Sequence, residues 1–417
     1  MRSATHFLNM RTRAFVSILS MVLPILLTAS SSEAGHITLE SGEVELMRVG
    51  RSIHILEDAE GKLNVEEVRT RLDQFRAVEN PAINLGFDQS VYWLQLSIEN
   101  KLSTQRSIRM RVDYAFFDDI QLYVFHDDIP TQTFQTGDRL PFAQRPIEAR
   151  EFIFPIELPP QSSVNTFLRI ECNESKQIPV DLFSPDVLQT HTASRFAIYG
   201  AIFGSMIIMV FYNLFIWALA REKSYLWYSI YVALTTVYHF AFMGLGFQYV
   251  WPNATTWQNY CLPIIGCLGV LSLLKFTRAY LTTATRSPKT DRALHITTIA
   301  FVIVTPLSLL FGPQVAMLTH TASVPIFIVL VVWAAANVGL NRYPPGMYFL
   351  VSFVIVALSY AYAAIAVTTL LPMGDSHSDL ITFILPVTFL IEVVLISFGL
   401  AHKIRTLRAE KEIAMKI

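Results

Sequence analysis

The chemically most unusual residue in the chain is Glu392, a carboxylate inside an apolar run that includes Phe389, Leu390 and Val393. It lies about eleven residues before Lys403, roughly 16 Å along a helix at 1.5 Å per residue. Asn213 lies about eight residues before Arg221, roughly 12 Å in by the same rise, so the two share a depth. An ionisable group that deep in a bilayer is costly and normally faces the bundle interior with a partner. Glu392 is therefore expected to pair with Asn213 or with Lys275. The competing use, a proton or ion path, calls for several such carboxylates or for broken, repeated helices. Glu392 is alone at that depth, and the helices show no internal repeat. His239 and His320 read as packed side chains rather than metal ligands. The sequence holds no His-Glu-x-x-His, no Gly-rich phosphate loop and no Ser-His-Asp set assignable to one side of a membrane. Its three cysteines, Cys172, Cys261 and Cys267, exclude a metal site built on Cys. No cofactor, no metal and no enzymatic activity of this chain is implied.

A second set of residues could bind a ligand: Trp93, Tyr114, Phe116, Asp118, Arg139 and Arg145. Flat aromatic faces suit the apolar side of a sugar ring, and charged groups suit its hydroxyls, a mixture fitting the concave face of a β-sandwich. The competing reading puts Trp93 in the core and lets Asp118, Gly137 and Asp138 hold turns.

The elements that must position these residues divide the chain. Seven apolar blocks, each near the roughly 20 residues a spanning helix needs, lie at 196–220, 225–247, 260–281, 293–311, 315–340, 347–371 and 380–401. Arg221 and Lys223, then Arg278, Arg286, Lys289 and Arg292, then Arg342, and finally Lys403, Arg405, Arg408, Lys411 and Lys416 occupy the odd joints and the tail. The other joints carry no Lys or Arg. By the positive-inside rule the tail is cytoplasmic and the N-terminal part outside. Arg11 and Arg13, the apolar run 14–27 and the small residues before Ala34 independently read as a secretory signal cut after Ala34. The expected organisation is a signal peptide at 1–34, an exported domain at 35–194, a seven-helix membrane domain at 195–403 and the start of a helical linker at 404–417.

Composition agrees, since 53% hydrophobic residues exclude an ordinary soluble protein. The net charge of -1 sums an acidic exported part and basic joints, leaving no patch for nucleic acid. With Cys172 as its single cysteine, the exported part has no internal disulfide and must rest on an ordinary core. Its runs read as short strands at 37–46, 52–57, 107–114, 120–125, 151–158, 166–172 and 179–182. One helix, started by Asn64 with Glu67 three residues on, extends to about Phe75, and the Asn80-Pro81 pair closes it. The strand at 90–100 alternates, with Val91, Trp93, Gln95 and Ser97 against Tyr92, Leu94, Leu96 and Ile98. Many short strands with one helix predict an all-β, jelly-roll-like sandwich ahead of an all-α bundle. Gly200 and Gly204, one turn apart, suit close helix packing within the bundle, or dimerisation.

Several runs carry a resemblance: His54 to Asp58, the strand from Val91 to Asn100, Phe117-Asp118 to Tyr123, Gly137-Asp138 with Pro141-Phe142 and Arg145, Phe167 to Arg169, and Tyr212-Asn213. In this order and with this topology the chain resembles bacterial seven-transmembrane receptors with diverse intracellular signalling modules. It departs from them at Gln95, where the family often has Arg. The resemblance implies an inner-membrane receptor whose exported domain is similar to carbohydrate-binding jelly rolls. Its ligand would be a periplasmic small molecule or carbohydrate. Its partners would be membrane lipid, a second copy in a homodimer, and a cytoplasmic output such as a diguanylate cyclase or histidine kinase, fused or separate. The quoted sequence stops at Ile417, before any such output. Leu400, Ile404 and Leu407 fall at heptad-like spacing, so Ile404 and Leu407 are the expected output positions, unless this is merely a frayed helix end. The alternative from another class is a polytopic transporter or channel with an exported accessory domain.

Overall fold

The computed structural model describes residues 35–40, 46–78, 83–86, 90–172, 176–340, 343–367 and 377–414, by backbone alone at 366–367, 377–382 and 407–414. The expected signal peptide, the Asn80-Pro81 pair, Arg342 and most of the joint after the sixth span lie outside the described residues.

The strands are β1 (His36–Leu39), β2 (Met47–Arg48), β3 (His54–Asp58), β4 (Arg76–Ala77), β5 (Ile83–Asn84), β6 (Val91–Asn100), β7 (Arg106–Val112), β8 (Asp119–His126), β9 (Ile129–Thr136), β10 (Phe152–Leu158), β11 (Ser162–Glu171), β12 (Gln177–Ile178) and β13 (Val180–Phe183). They build a large sheet in the order β4-β3-β6-β11-β8-β9, a second sheet in the order β10-β7-β13-β2, and a small pair β12-β5. Strand β6 is the spine of the large sheet. Antiparallel β11 runs along it from Tyr92 to Asn100, while β3 covers Val91 to Gln95 and parallel β1 covers Ser97 to Asn100. Leu94, Leu96 and Ile98 of β6, Leu122 and Val124 of β8 and Leu168 and Ile170 of β11 pack on Ile108, Met110, Phe152, Phe154, Ile156, Val180 and Leu182 of the second sheet. Two sheets sharing one buried interior make this domain a sandwich. Asp127 and Asp128, both with positive φ (47° and 62°), make the tight β8–β9 turn, a conformation that Asp tolerates better than most residues.

The alternation of β6 is half obeyed. Val91 and Trp93 point away from the sandwich yet are buried, because helix α1 (Val65–Arg69) and its flanks close over them. There Trp93 packs with Leu56, Val68, Phe125 and Phe167, beneath Leu63 and Phe75. The cap read from sequence is present: Asn64 accepts from the Glu67 N–H at 2.9 Å and Glu67 accepts from the Asn64 N–H at 3.0 Å.

Strand β13 passes through Ser184 directly into α2 (Pro185–Ala220), where Pro185 occupies the tolerated first turn. Then come α3 (Lys223–Phe242), α4 (Leu245–Tyr249), α5 (Thr255–Leu281), α6 (Thr283–Arg286), α7 (Pro288–Leu310), α8 (Pro313–Gly339), α9 (Pro344–Val367) and α10 (His377–Ala414). Six of these are long and apolar enough to cross a membrane. The other long helix, α3, owes its lower hydropathy to Tyr225, Tyr228, Tyr231 and His239, all turned into the bundle. Helix α5 is central: its apolar window is 67% buried, against 22–44% for the other five candidate spans.

Candidate functional site

The sheet domain meets the bundle through the connection between β7 and β8. Ala115 and Phe116 insert among Ala241 of α3 and Cys261, Leu262 and Ile265 of α5, and Phe116 stacks on Phe242 with centroids 6.1 Å apart. The bundle receives them with the turn after α3. Gly244 has φ +77°, and a Cβ there would lie 2.8 Å from Cβ of Ala115, so both conformation and space call for glycine. The Phe142 N–H donates to the Pro252 carbonyl at 2.9 Å, and the Phe142 ring meets Phe247 edge-on at 5.6 Å.

Beside this plug, three guanidiniums and three carboxylates interlock. Arg195, in α2, lies 2.6 Å from Asp113 and 3.5 Å from Glu151. Arg150 lies 3.0 Å from Asp113 and 2.7 Å from Glu151, and Arg111 pairs with Asp181 at 2.5 Å. Burial pushes the Asp113 carboxyl up, but Arg195, Arg150 and Arg111 around it hold it well below the usual carboxylate range. The network reaches the last helix as well. The Arg195 guanidinium sits over the Phe383 ring of α10 at 5.8 Å, and Tyr199 of α2 packs on the same ring at 5.4 Å.

An open cleft of about 480 Å³ lies nearby, lined by Asp118 and Arg139 of the sheet domain, Thr255, Asn259 and Tyr260 of α5, and Phe311 to Gln314 where α7 turns into α8. Arg139 bridges Asp118 at 3.0 Å and Glu171 at 3.6 Å and remains 48% exposed, so its guanidinium is both oriented and accessible. Gly137 sets this up: a Cβ there would fall 2.2 Å from the Asp118 carbonyl, and the next N–H, of Asp138, donates to Phe117 O at 2.8 Å.

Of the six residues singled out as ligand contacts, the structure brings only Asp118 and Arg139 into the cleft. Trp93 belongs to the separate core under α1. Tyr114 and Phe116 belong to the plug. Arg145 is a buried strut, donating to the carbonyls of Ala149 at 2.8 Å and Arg150 at 2.6 Å and stacked over Phe152 at 4.2 Å. Burial draws its guanidinium down to about 10, while Asp138 and Glu151 pull the other way.

Residues 195–403 match the family model described as 7TM diverse intracellular signalling, and residues 50–184 match 7TMR-DISM extracellular 2. The chain belongs to the 7TM diverse intracellular signalling family. No curated protein matches it. Among solved structures it is similar to BtGH115A, a family GH115 4-O-methyl-α-glucuronidase with specificity for decorated arabinogalactans. The identity is 14%, over 38% of this chain and 20% of that one. The TM-score of 0.19 is too low to bear on fold or ligand. The chain is thus a membrane receptor with an extracellular domain, and the plug, network and cleft all lie where that domain meets the family's helical domain.

Inside this 7TM domain, the pairing expected for Glu392 is not the one observed. Its Oε2 accepts from the Tyr231 hydroxyl of α3 at 3.1 Å. Asn213, also fully buried, turns back on its own helix and donates to Met209 O at 2.7 Å. Lys275 is exposed on the outer face of α5 and is no part of a polar core. Hydropathy fixes the depth of a residue but not the rotation of its helix, so the sequence does not specify these partners. Both histidines are packed: His239 gives a 2.8 Å contact to Thr235 O and stacks on Phe389, and His320 lies against Gly266 and Tyr238. Gly200 and Gly204 have nothing within 4 Å of where a Cβ would sit, so among the described residues they are not a packing stripe.

At the far end of the family's domain, Lys403 of α10 is 1% exposed. Its Nζ donates to Glu222 at 3.1 Å, Ser224 at 2.6 Å and Ala279 O at 2.7 Å. In the sequence it reads only as a topological charge. Ile404 packs on the bundle core beside it, and the side chain of Leu407 lies outside the described residues.

Proposed function

We propose that the protein is a signal-transduction receptor that senses a small polar or anionic periplasmic ligand in the cleft at Asp118 and Arg139. It would relay occupancy to a cytoplasmic output, fused or separate, of the diguanylate cyclase or histidine kinase kind. The observation that carries this reading is Arg195, which answers two carboxylates of the sheet domain while touching Phe383 of the helix that leads to the C-terminal linker. A ligand favouring one arrangement of the cleft biases that contact and with it the position of α10. Glu392 is the one buried carboxylate within the spans among the described residues, which favours a receptor over a transporter.

The test uses the full chain in detergent, because the cleft has walls in both domains. Its melting temperature is followed against sugars, cell-wall fragments and small acids. Saturable binding to the folded state adds about 2.7 kcal/mol at a hundred times the Kd. The reading expects a shift that Arg139→Ala abolishes. A shift indifferent to Arg139→Ala, or none across the library, contradicts it.

A further inference from the structure

We propose that Glu392 is a proton-binding site of the bundle, so that the receptor carries a second, intramembrane input whose ligand is a proton. The carboxyl is 1% exposed and accepts a single hydrogen bond, from a neutral donor, the Tyr231 hydroxyl. Its Oε1 has no hydrogen-bond partner among the described residues. An ionised carboxylate in a dry interior needs a cation or several donors, whereas a neutral acid there leaves only one group unsatisfied.

Among the described residues the surroundings supply no cation. From α3 the titratable groups are Tyr231, bonded to Glu392, and Tyr228, whose hydroxyl is committed to Val393 O at 2.8 Å. His239, also on α3, is turned to Thr235 O and stacked on Phe389. From α9 the titratable group on this side is Tyr360, another neutral hydroxyl rather than a cation. Helix α5 presents Phe276, stacked on Tyr231, and directs Lys275 outward. Helix α2 brings Asn213, which is committed to Met209 O. On α10 itself the nearest cation is Lys403, about eleven residues or roughly 16 Å away and held by three other acceptors.

In the arrangement seen, Glu392 holds the proton as a neutral acid. Releasing it to water leaves a carboxylate with one donor, which must draw in water or further hydroxyls. The contacts that would yield are those by which α3 grips α10, Tyr231 to Glu392 and Tyr228 to Val393 O. Proton occupancy therefore sets how α10 seats on α3, upstream of Lys403 and Ile404.

The experiment is infrared spectroscopy of the full chain in lipid nanodiscs at neutral pH, wild type against Glu392→Gln. The expected difference is loss of a C=O stretch from a protonated carboxyl. Tyr231→Phe, a gentler change, shifts that band to higher frequency by removing its one hydrogen bond, and keeps the test decisive should Glu392→Gln not fold. If Glu392→Gln removes only ionised-carboxylate intensity, or if Tyr231→Phe shows no protonated-carboxyl band to shift, the proposal is overturned.

Discussion

The two ends of the helical bundle are both pinned by buried charge, but in opposite styles. At the extracellular end three guanidiniums and three carboxylates share contacts, so Asp113 answers both Arg150 and Arg195, and Glu151 answers both again. At the other end one ammonium, Lys403, meets a single carboxylate, Glu222, which is 31% exposed, plus a hydroxyl and a carbonyl. A redundant, dry network resists being taken apart, since removing one member strands its partners in low dielectric. The Lys403 ammonium is as dry, but its one carboxylate is partly solvated and among the described residues no second ion pair backs it up, so this end has less redundancy. The difference in redundancy makes rigid docking the expectation for the first end and movement the expectation for the second.

The largest expected effect comes from breaking the redundant end. Asp113→Ala leaves Arg195 and Arg150 to share Glu151 alone, an excess of buried positive charge, and thermal or denaturant unfolding of the full chain should register a loss of about 3–5 kcal/mol. An effect under half of that would mean that water already shares the network, and the contrast between the ends would weaken. Gly244→Ala attacks the same end without touching charge. Its positive φ and the 2.8 Å approach to Ala115 predict a loss of about 1–3 kcal/mol by the same assay.

At the other end, Lys403→Met should cost less than about 1 kcal/mol, because Met fills the space of the stem and Glu222 can rehydrate. Its signature is motion: a nitroxide at exposed Arg405 should become more mobile. The pH dependence follows from Glu222. Burial pushes that carboxyl up, yet Lys403 and Ser224 hold it net below its ordinary value of 4.5. A carboxyl lowered in the folded state contributes stability above its unfolded value and loses it as pH falls through the lowered one. On the acid side the wild-type label should therefore loosen below about pH 4.5, and Lys403→Met should abolish that response. A label equally mobile in both proteins at neutral pH would show that Lys403 is no latch.

The helix blocks, the Asn64–Glu67 cap and the alternation from Leu94 to Ile98 were legible because each is a local pattern of period or spacing. Trp93 was ambiguous because the same alternation leaves one face open until α1 covers it, and a five-residue helix gives no strong signal of where it will lie. The network was not legible, since Asp113 and Arg195 are 82 residues apart. One clue did exist: Arg195 is a cation at the non-cytoplasmic edge of the first span, where the positive-inside rule leads one to expect none. The depth of Glu392 was readable from hydropathy, and its partner was not.

The central claim is that the extracellular network and the last helix are one mechanical unit, joined where Arg195 meets Phe383, about 20 residues or roughly 30 Å from Lys403. The most direct measurement is the spectrum of a nitroxide at Arg405 in the full chain in nanodiscs, with Arg195 or with Arg195→Lys. The substitution keeps the charge but gives up the forked contact to two carboxylates and the stacking on Phe383. The account predicts altered mobility or label distance at Arg405 in a protein that stays folded. An unchanged spectrum, with the extracellular contacts demonstrably weakened, would contradict it.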